Sequence, residues 1–204
     1  VGASTLAAGL AQVSANQAIS TALVELAPAG GGLDLVLGAE GVPGWRWDEL
    51  SSARGTLDDL SDLLPCPHGV TLVSLGRRAH HPSAEASVAV LRALARSHDR
   101  VVVDAGRGED APGPWSRTRT LLVVAGDVRG VLAARGVLDE RRWSDVEVVV
   151  RQGPGRRLSS QDVAETLGVP VVGILPQRGR LARALSVGEA PVMADRRLAK
   201  VCRR

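Results

Sequence analysis

Six short apolar runs rich in β-branched residues constrain the fold of this 204-residue chain more than any other feature. Each run is almost continuously apolar rather than alternating between apolar and polar residues. Continuous apolar runs are typical of strands that are buried on both faces of a parallel sheet. The pattern predicts six strands, at Thr21–Leu26, Val70–Leu75, Arg100–Asp104, Thr120–Ala125, Val146–Arg151 and Val169–Leu175.

Segments with helical periodicity separate these runs. They lie at Ser4–Ala15, Asp48–Leu64 with a break near Gly55, Ala84–Ser97, Val128–Arg142, Ser160–Leu167 and Arg178–Val187. Strands that alternate with helices favour a doubly wound α/β fold, with a mostly parallel sheet and helices on both faces. The length fits a single domain over residues 1–204.

The composition is that of an ordinary globular protein, with 45% hydrophobic and 23% charged residues. The chain has no Phe and no Tyr, so its core must consist mainly of Val, Leu, Ala and Ile. A formal net charge of +3 permits nucleic-acid or membrane binding but does not argue for it. The cysteines Cys66 and Cys202 form no motif, and the four histidines lack metal-ligand spacing.

The opening residues Val-Gly-Ala-Ser-Thr look like the back half of a phosphate-binding loop that leads into a helix. The backbone N–H groups and the dipole of such a helix favour a bound anion. In the full motif a Lys reaches the phosphates and a Ser or Thr hydroxyl holds Mg²⁺. Here Ser4 and Thr5 remain, whereas Ala3 occupies the position of the Lys. The alternative is an ordinary helix start, with Ser4 or Thr5 as the N-cap.

Polar residues gather at the predicted carboxyl edge of the sheet, where ligands of such folds bind. Asp104 ends one strand, Glu25 lies near the end of another, and a glycine-rich turn follows at Gly30–Gly32. Asp104 is a candidate Mg²⁺-side carboxylate, or else it only shapes the turn after its strand. A phosphate loop normally follows a central strand, which would lie upstream of Val1. We therefore expect a longer protein, and a gap in the sheet where this strand is missing.

Four stretches together resemble the ParA/MinD class of P-loop ATPases. They are Gly2–Ala7, Leu23–Gly38, Val101–Asp104 and Gly168–Pro176. The resemblance is strongest to the divergent actinobacterial branch of CpaE-like, TadZ-like and septum-site-determining proteins. It covers essentially the whole chain, and the Gly-Gly-Gly-Leu-Asp-Leu-Val-Leu-Gly stretch is its most specific part.

The resemblance implies ATP and Mg²⁺ as ligands. It places nucleotide contacts at Gly2, Ala3, Ser4, Thr5 and Pro176, the last beside the base. By the same resemblance, Ser4 and Asp104 would hold Mg²⁺, while Asp104 and Glu25 would take part in hydrolysis.

Departures from the family pattern predict a degenerate nucleotide site. Ala3 replaces the loop lysine, and a charge-assisted hydrogen bond contributes about 1.5–3 kcal/mol, so binding should weaken about 10- to 100-fold. Glu25 and Ala27 stand where the family has an Asp pair, and Ala27 can neither orient a water nor accept a proton. Because phosphoryl transfer depends on positioning and electrostatics, we expect weak or absent ATP binding and inefficient hydrolysis.

Other departures leave alternatives open. Arg151 stands where a base-reading Asn is common, and Gln177 and Arg178 stand where an Asp is common. One alternative is an active ATP-hydrolysing switch, in which a lysine upstream of Val1 and Glu25 compensate for the losses. Another is a ParA-like DNA-binding ATPase that uses Arg156 and Arg157, although nucleic acid is the less favoured partner.

The resemblance also implies the biological setting. It implies a cytoplasmic homodimer that regulates septum-site placement or the positioning of a secretion or pilus apparatus. Its partners would be proteins of that machinery, which could recruit it to the pole, the septum or the inner membrane face.

Two segments could contact other molecules. Trp45 and Trp47 flank Arg46 and form a candidate partner surface, unless one Trp packs over the following helix. The tail Ala194–Arg204 is expected to be a terminal docking helix rather than a membrane anchor, since it lacks bulky apolar residues.

Overall fold

The computed structural model describes residues 2–27, 31–76, 82–106, 118–141, 143, 145–153, 155, 158–176 and 179–203. The predicted alternation of strands and helices is confirmed. The strands are β1 Thr21–Glu25, β2 Val70–Val73, β3 Arg100–Asp104, β4 Thr120–Ala125, β5 Val146–Gln152 and β6 Val171–Pro176. The helices are α1 Ala3–Ala15, α2 Leu33–Val36, α3 Trp47–Leu50, α4 Ala84–Ser97, α5 Val128–Glu140, α6 Ser160–Leu167, α7 Gly179–Ser186, α8 Pro191–Ala194 and α9 Arg196–Cys202.

The strands form two parallel three-stranded sheets, in the orders β2-β1-β3 and β4-β5-β6. In the first sheet Thr21 lies opposite Arg100 and Glu25 lies opposite Asp104. Within the described ranges, no strand ladder joins β3 to β4. The predicted central strand upstream of Val1 would belong between these two strands, and it stays a prediction.

Helix α1 connects the two sheets because it is apolar on more than one side. Its small residues Ala8 and Ala11 are fully buried and pack in one cluster with Leu23 of β1. Its larger residue Leu6 packs in another cluster with Val149 of β5. The same helix therefore covers both sheets, and Gly2 at its amino end lies near the carboxyl ends of the strands of the second sheet.

Burial in the first sheet is lower in β3 than in the other two strands. Every residue of β1 and β2 is buried, whereas Val101–Val103 of β3 are only half-buried. In the second sheet, Leu121–Val123 of β4 are likewise half-buried. β3 and β4, which lie on either side of the gap between the two sheets, thus keep partly exposed apolar surface of the kind that parallel sheets normally cover.

The helix predicted at Asp48–Leu64 is wrong. Only α3 is helical there, and the chain continues through turns to Leu64, with Gly55 at a left-handed φ of 65°. Leu60 and Leu64 are both buried and lie four residues apart, so their spacing imitates a helix although they reach the core from irregular backbone.

The helix predicted near the carboxyl end is confirmed as α9, which packs against α1. Leu198 and Cys202 are buried there, and a Cβ at Gly9 of α1 would lie 2.9 Å from Cys202 Sγ. Asp195 caps α9 by accepting hydrogen bonds from the backbone N–H groups of Arg197 and Leu198. No helix in the described part of the chain has the length and apolarity needed to cross a membrane.

Candidate functional site

Helix α1 starts from a glycine rather than from a residue with a hydroxyl group. Gly2 is the N-cap with φ 110°, and its carbonyl oxygen accepts the first helical hydrogen bond from Leu6 N at 2.9 Å. No side-chain cap is present at this end of α1 in the described residues. Ser4 and Thr5 lie half-buried in the first turn, so the alternative in which one of them is the N-cap is wrong. The first-turn N–H groups therefore remain available to an anion.

Gly2 lies against the second sheet. A Cβ at this position would lie 3.5 Å from Arg151 Cδ, 3.8 Å from Val123 Cγ1 and 4.0 Å from Leu175 Cδ1. Its positive φ is also a conformation that residues with a side chain rarely adopt. The aliphatic part of the Arg151 side chain thus lies against the loop. Arg151 is the residue that stands where the family pattern has an Asn.

Asp104 ends β3 as a buried carboxylate. Its side chain is 3% exposed, and its Oδ2 has no hydrogen-bond partner among the described residues. A buried polar atom without a partner costs about 1–3 kcal/mol. Carboxylate oxygens are preferred ligands of Mg²⁺, so this atom fits a cation or its coordinated water better than a purely structural turn.

Glu25 lies beside Asp104 but is already engaged. Its Oε2 accepts hydrogen bonds from Leu33 N and from Leu75 N, both at 3.0 Å. Burial raises the pKa of Glu25; these two hydrogen bonds oppose the rise, and the nearby charges of Asp104 and Asp34 add to it. Glu25 therefore ties the start of α2 to the segment after β2.

The position two residues after Glu25 offers no polar group, because Ala27 is buried and apolar. Of the predicted turn Gly30–Gly32, Gly31 and Gly32 are described, and Gly32 has φ 93°. The turn leads into α2, where Asp34 is buried with its Oδ2 3.9 Å from Arg46 Nε.

The predicted partner surface at the two tryptophans needs correction. Trp45 is 41% exposed, but Trp47 is fully buried in the cluster that contains Val90. The Trp47 indole Nε1 donates a 2.6 Å hydrogen bond to the backbone oxygen of Glu25. Trp47 therefore packs inside the protein and holds the backbone at Glu25, in line with the alternative that one Trp packs in the core. Of the two tryptophans, only Trp45 is exposed enough to contact a partner.

Sequence reasoning missed two polar residues at the same edge. Ser74 Oγ and Asp48 Oδ1 are buried without a hydrogen-bond partner among the described residues. A Cβ at Gly76 would lie 1.9 Å from Asp48 Oδ2, so only glycine fits beside this carboxylate. The sequence feature that could have pointed to Asp48 as a site residue is its position next to Trp47. In the described ranges, no group of three His, Cys, Asp or Glu side chains is arranged to hold a metal ion.

Some predicted residues lie outside the described ones: Pro28 to Gly30, Arg142, Arg156, Arg157, Gln177 and Arg178. Pro176 is the last residue of β6, opposite Gln152 in the ladder. The structure thus brings Glu25 and Asp104 together at one edge and places Gly2 at the ends of the second sheet.

Comparisons with known proteins agree with this architecture. No protein-family model matches the chain. The chain is 32% identical over 210 aligned residues to an uncharacterized protein of Mycobacterium tuberculosis, Rv3660c, and to its counterpart MT3760 in strain CDC 1551. All of the chain is aligned, and it spans 59% of the length of these relatives.

Solved structures give the fold directly. The MinC:MinD cell division complex of Aquifex aeolicus matches with a TM-score of 0.81 and 21% identity, covering 100% of this chain and 90% of that one. A ParA family ATPase of Chlorobium tepidum matches with a TM-score of 0.83 and 20% identity, covering 98% of this chain and 90% of that one.

A third solved structure carries a bound nucleotide. The septum site-determining protein MinD of Pyrococcus horikoshii, complexed with Mg-ADP, gives a TM-score of 0.75 and 13% identity, covering 98% of this chain and 89% of that one. This chain therefore has the doubly wound fold of the MinD and ParA ATPases.

Proposed function

We propose that this chain is a MinD/ParA-like regulator with a degenerate nucleotide site. It binds Mg-ATP weakly and hydrolyses it inefficiently, and it acts by docking protein partners. The fold shared with a MinD that carries Mg-ADP supports a nucleotide at this site. The role that fits best is placement of the division septum, or of a secretion or pilus apparatus, as in the CpaE-like branch.

Weak ATP binding is expected because the described contacts available to a phosphate at the start of α1 are backbone N–H groups. The uncapped first turn of α1 and the glycine at position 2 leave N–H groups for a phosphate. At position 3, an alanine methyl group replaces the lysine charge, so the strongest phosphate contact is lost. Ser4 and Asp104 would hold Mg²⁺, which would neutralise phosphate charge when bound.

Inefficient hydrolysis follows from one observation above all. Glu25 stands where the family has an Asp. Its Oε2 already accepts hydrogen bonds from the backbone N–H groups of Leu33 and Leu75. It is 1% exposed, so it is poorly placed to orient a water. Ala27 supplies no substitute, and efficient phosphoryl transfer requires a positioned nucleophile.

Partner docking is supported by the neighbour that was solved together with MinC. We propose a homodimer that meets proteins of the division or secretion machinery, with the exposed Trp45 as part of the contact surface. The protein would be cytoplasmic and would reach the pole, the septum or the inner membrane face through those partners.

Steady-state ATP hydrolysis tests this proposal. At saturating ATP we expect a wild-type rate close to the uncatalysed background, and therefore within about twofold of the Asp104→Ala rate, because the site lacks a positioned nucleophile. Asp139→Ala, on the exposed face of α5, serves as the control for surface charge. A wild-type rate more than about tenfold above that of Asp104→Ala, with Asp139→Ala unchanged, would instead establish an active ATPase.

A further inference from the structure

The outer edge of β6 is an unprotected sheet edge. β6 pairs with β5 on its inner side, and no other segment among the described residues forms a backbone ladder with it. Ile174 of β6 is 37% exposed, although its neighbours Gly173 and Leu175 are buried. An apolar strand edge with free N–H and C=O groups is a template for another strand.

The opposite outer edge of the fold is β2, and there another segment of the chain covers the strand edge. All four residues of β2, Val70–Val73, are buried. Leu72 N donates a 2.8 Å hydrogen bond outward to the Pro65 oxygen, so the preceding segment covers that edge. β6 has the same apolar character without such a cover in the described residues.

A groove of about 520 Å³ lies beside β6. Its lining includes the four consecutive residues Val171–Ile174, Arg197 and Lys200 of α9, Gln152 of β5 and Ser160 of α6. Consecutive strand residues point to opposite faces, so a groove that touches all four is not confined to one face of β6. The groove therefore leaves space next to the β6 backbone, where an added strand would lie.

The wall of this groove is basic. The exposed residues of α9 and the position after it are all cationic: Arg196, Arg197, Lys200 and Arg203. Arg197 and Lys200 form no salt bridge among the described residues. Two uncompensated cations beside an open strand edge favour an anionic occupant and disfavour a cationic one.

We propose that β6 is a docking strand for an extended acidic peptide segment of a partner protein. The segment would add as a strand to the β6 edge, with its backbone paired to β6 and its Asp or Glu side chains facing Arg197 and Lys200. A second copy of the chain fits less well, because its own basic α9 would approach the same cations. β6 ends at Pro176, which the family pattern places beside the base, but strand addition at Val171–Ile174 uses neither Glu25 nor Asp104, and the test below contains no nucleotide.

The test uses the 204-residue chain and a fluorescein-labelled peptide of about six residues that alternates valine and glutamate. We expect binding by fluorescence anisotropy, with backbone amide shifts in NMR spectra that centre on β6. Arg197→Glu combined with Lys200→Glu should weaken binding about tenfold or more. Arg203→Glu, directly after the same helix and outside the groove lining, should change it by less than about twofold.

Two further probes separate strand addition from simple charge attraction. A peptide of the same sequence with alternate backbone N-methyl groups keeps its charge but loses hydrogen-bond donors, so its binding should disappear. A valine-lysine peptide should not bind. Binding that survives N-methylation, that falls equally with Arg203→Glu, or that is absent altogether overturns the proposal. A dimer through β6 that the acidic peptide cannot compete with overturns it as well.

Discussion

At the scale of single residues, the carboxylate of Glu25 organises the edge at which we place the nucleotide site. Its side chain joins Leu33 and Leu75, and its own carbonyl oxygen accepts the indole hydrogen of Trp47. A sequence pattern identifies Glu25 as an acid at a strand end. It cannot reveal these contacts, because their partners lie 8, 50 and 22 residues away.

The buried Glu25 carboxyl should make stability depend on pH. Burial raises its pKa above the ordinary 4.5, so the folded chain holds the proton more tightly than the unfolded chain does. The stabilisation is complete below pH 4.5 and is lost as the pH rises through the raised pKa. Glu25→Gln stays neutral and keeps an acceptor oxygen, so its stability relative to wild type should increase with pH above 4.5.

Urea unfolding across this pH range measures the effect, with Glu140→Gln at an exposed position as the control. A stability difference between Glu25→Gln and wild type that stays constant with pH would show that the carboxyl is not perturbed by folding.

Ala3 defines the second prediction at this scale. Ala3→Lys adds the missing charge at the start of α1, and a charge-assisted hydrogen bond contributes about 1.5–3 kcal/mol. ATP affinity by calorimetry should rise about 10- to 100-fold. Ala3→Gln, of similar length but neutral, should leave it nearly unchanged. Equal affinities for Ala3→Lys and wild type would show that the loop does not face a phosphate.

At the scale of elements, the sequence predicts segments well where burial and periodicity agree. The bounds of β3, β4, α4 and α6 match the prediction because each is a short uniform pattern between clear breaks. α6 begins at Ser160 as predicted, and the structure shows Ser159 as its N-cap in a capping box with Asp162. The 48–64 segment fails because tertiary contacts, not helical backbone, bury Leu60 and Leu64.

Helix α5 offers a matched pair of glycines that tests its packing on β4. A Cβ at Gly130 would lie 2.4 Å from the Ala125 oxygen, whereas a Cβ at Gly136 meets nothing within 4 Å. Gly130→Ala should therefore lower the free energy of unfolding by about 1–3 kcal/mol through overpacking. Gly136→Ala should raise it by about 0.5–1 kcal/mol, because alanine favours the helix.

Thermal and urea unfolding of the two variants measure these changes. If both substitutions stabilise the chain, α5 does not approach β4 as closely as the structure places it.

At the scale of the whole molecule, two sheets share one bridging helix. The alternation of strands and helices predicts the doubly wound class, and the strand ends place Asp104 and Glu25 at one edge. The sheets β2-β1-β3 and β4-β5-β6 are separate among the described residues, and the central strand that would join them stays a prediction. The burial of Trp47 and the open edge of β6 could not be predicted, since both depend on which distant segments cover them.

The interrupted sheet should appear in amide hydrogen exchange. Among the described residues, β1 and β5 each pair on two sides, whereas β3 and β4 pair on one and keep half-buried apolar residues. We expect slower exchange in β1 and β5 than in β3 and β4, because edge amides open more readily. In a chain extended upstream of Val1 by its own sequence, the β3 and β4 amides should become protected. Equal protection in all six strands of the 204-residue chain would contradict this.

The most direct test of the degenerate site is a calorimetric titration of ATP into the chain, with and without Mg²⁺. We expect a Kd between about 10 μM and about 1 mM with Mg²⁺. We also expect Asp104→Ala to weaken binding only when Mg²⁺ is present. Submicromolar binding would contradict the loss of the lysine contact. No binding at millimolar ATP would contradict a nucleotide site at the amino end of α1.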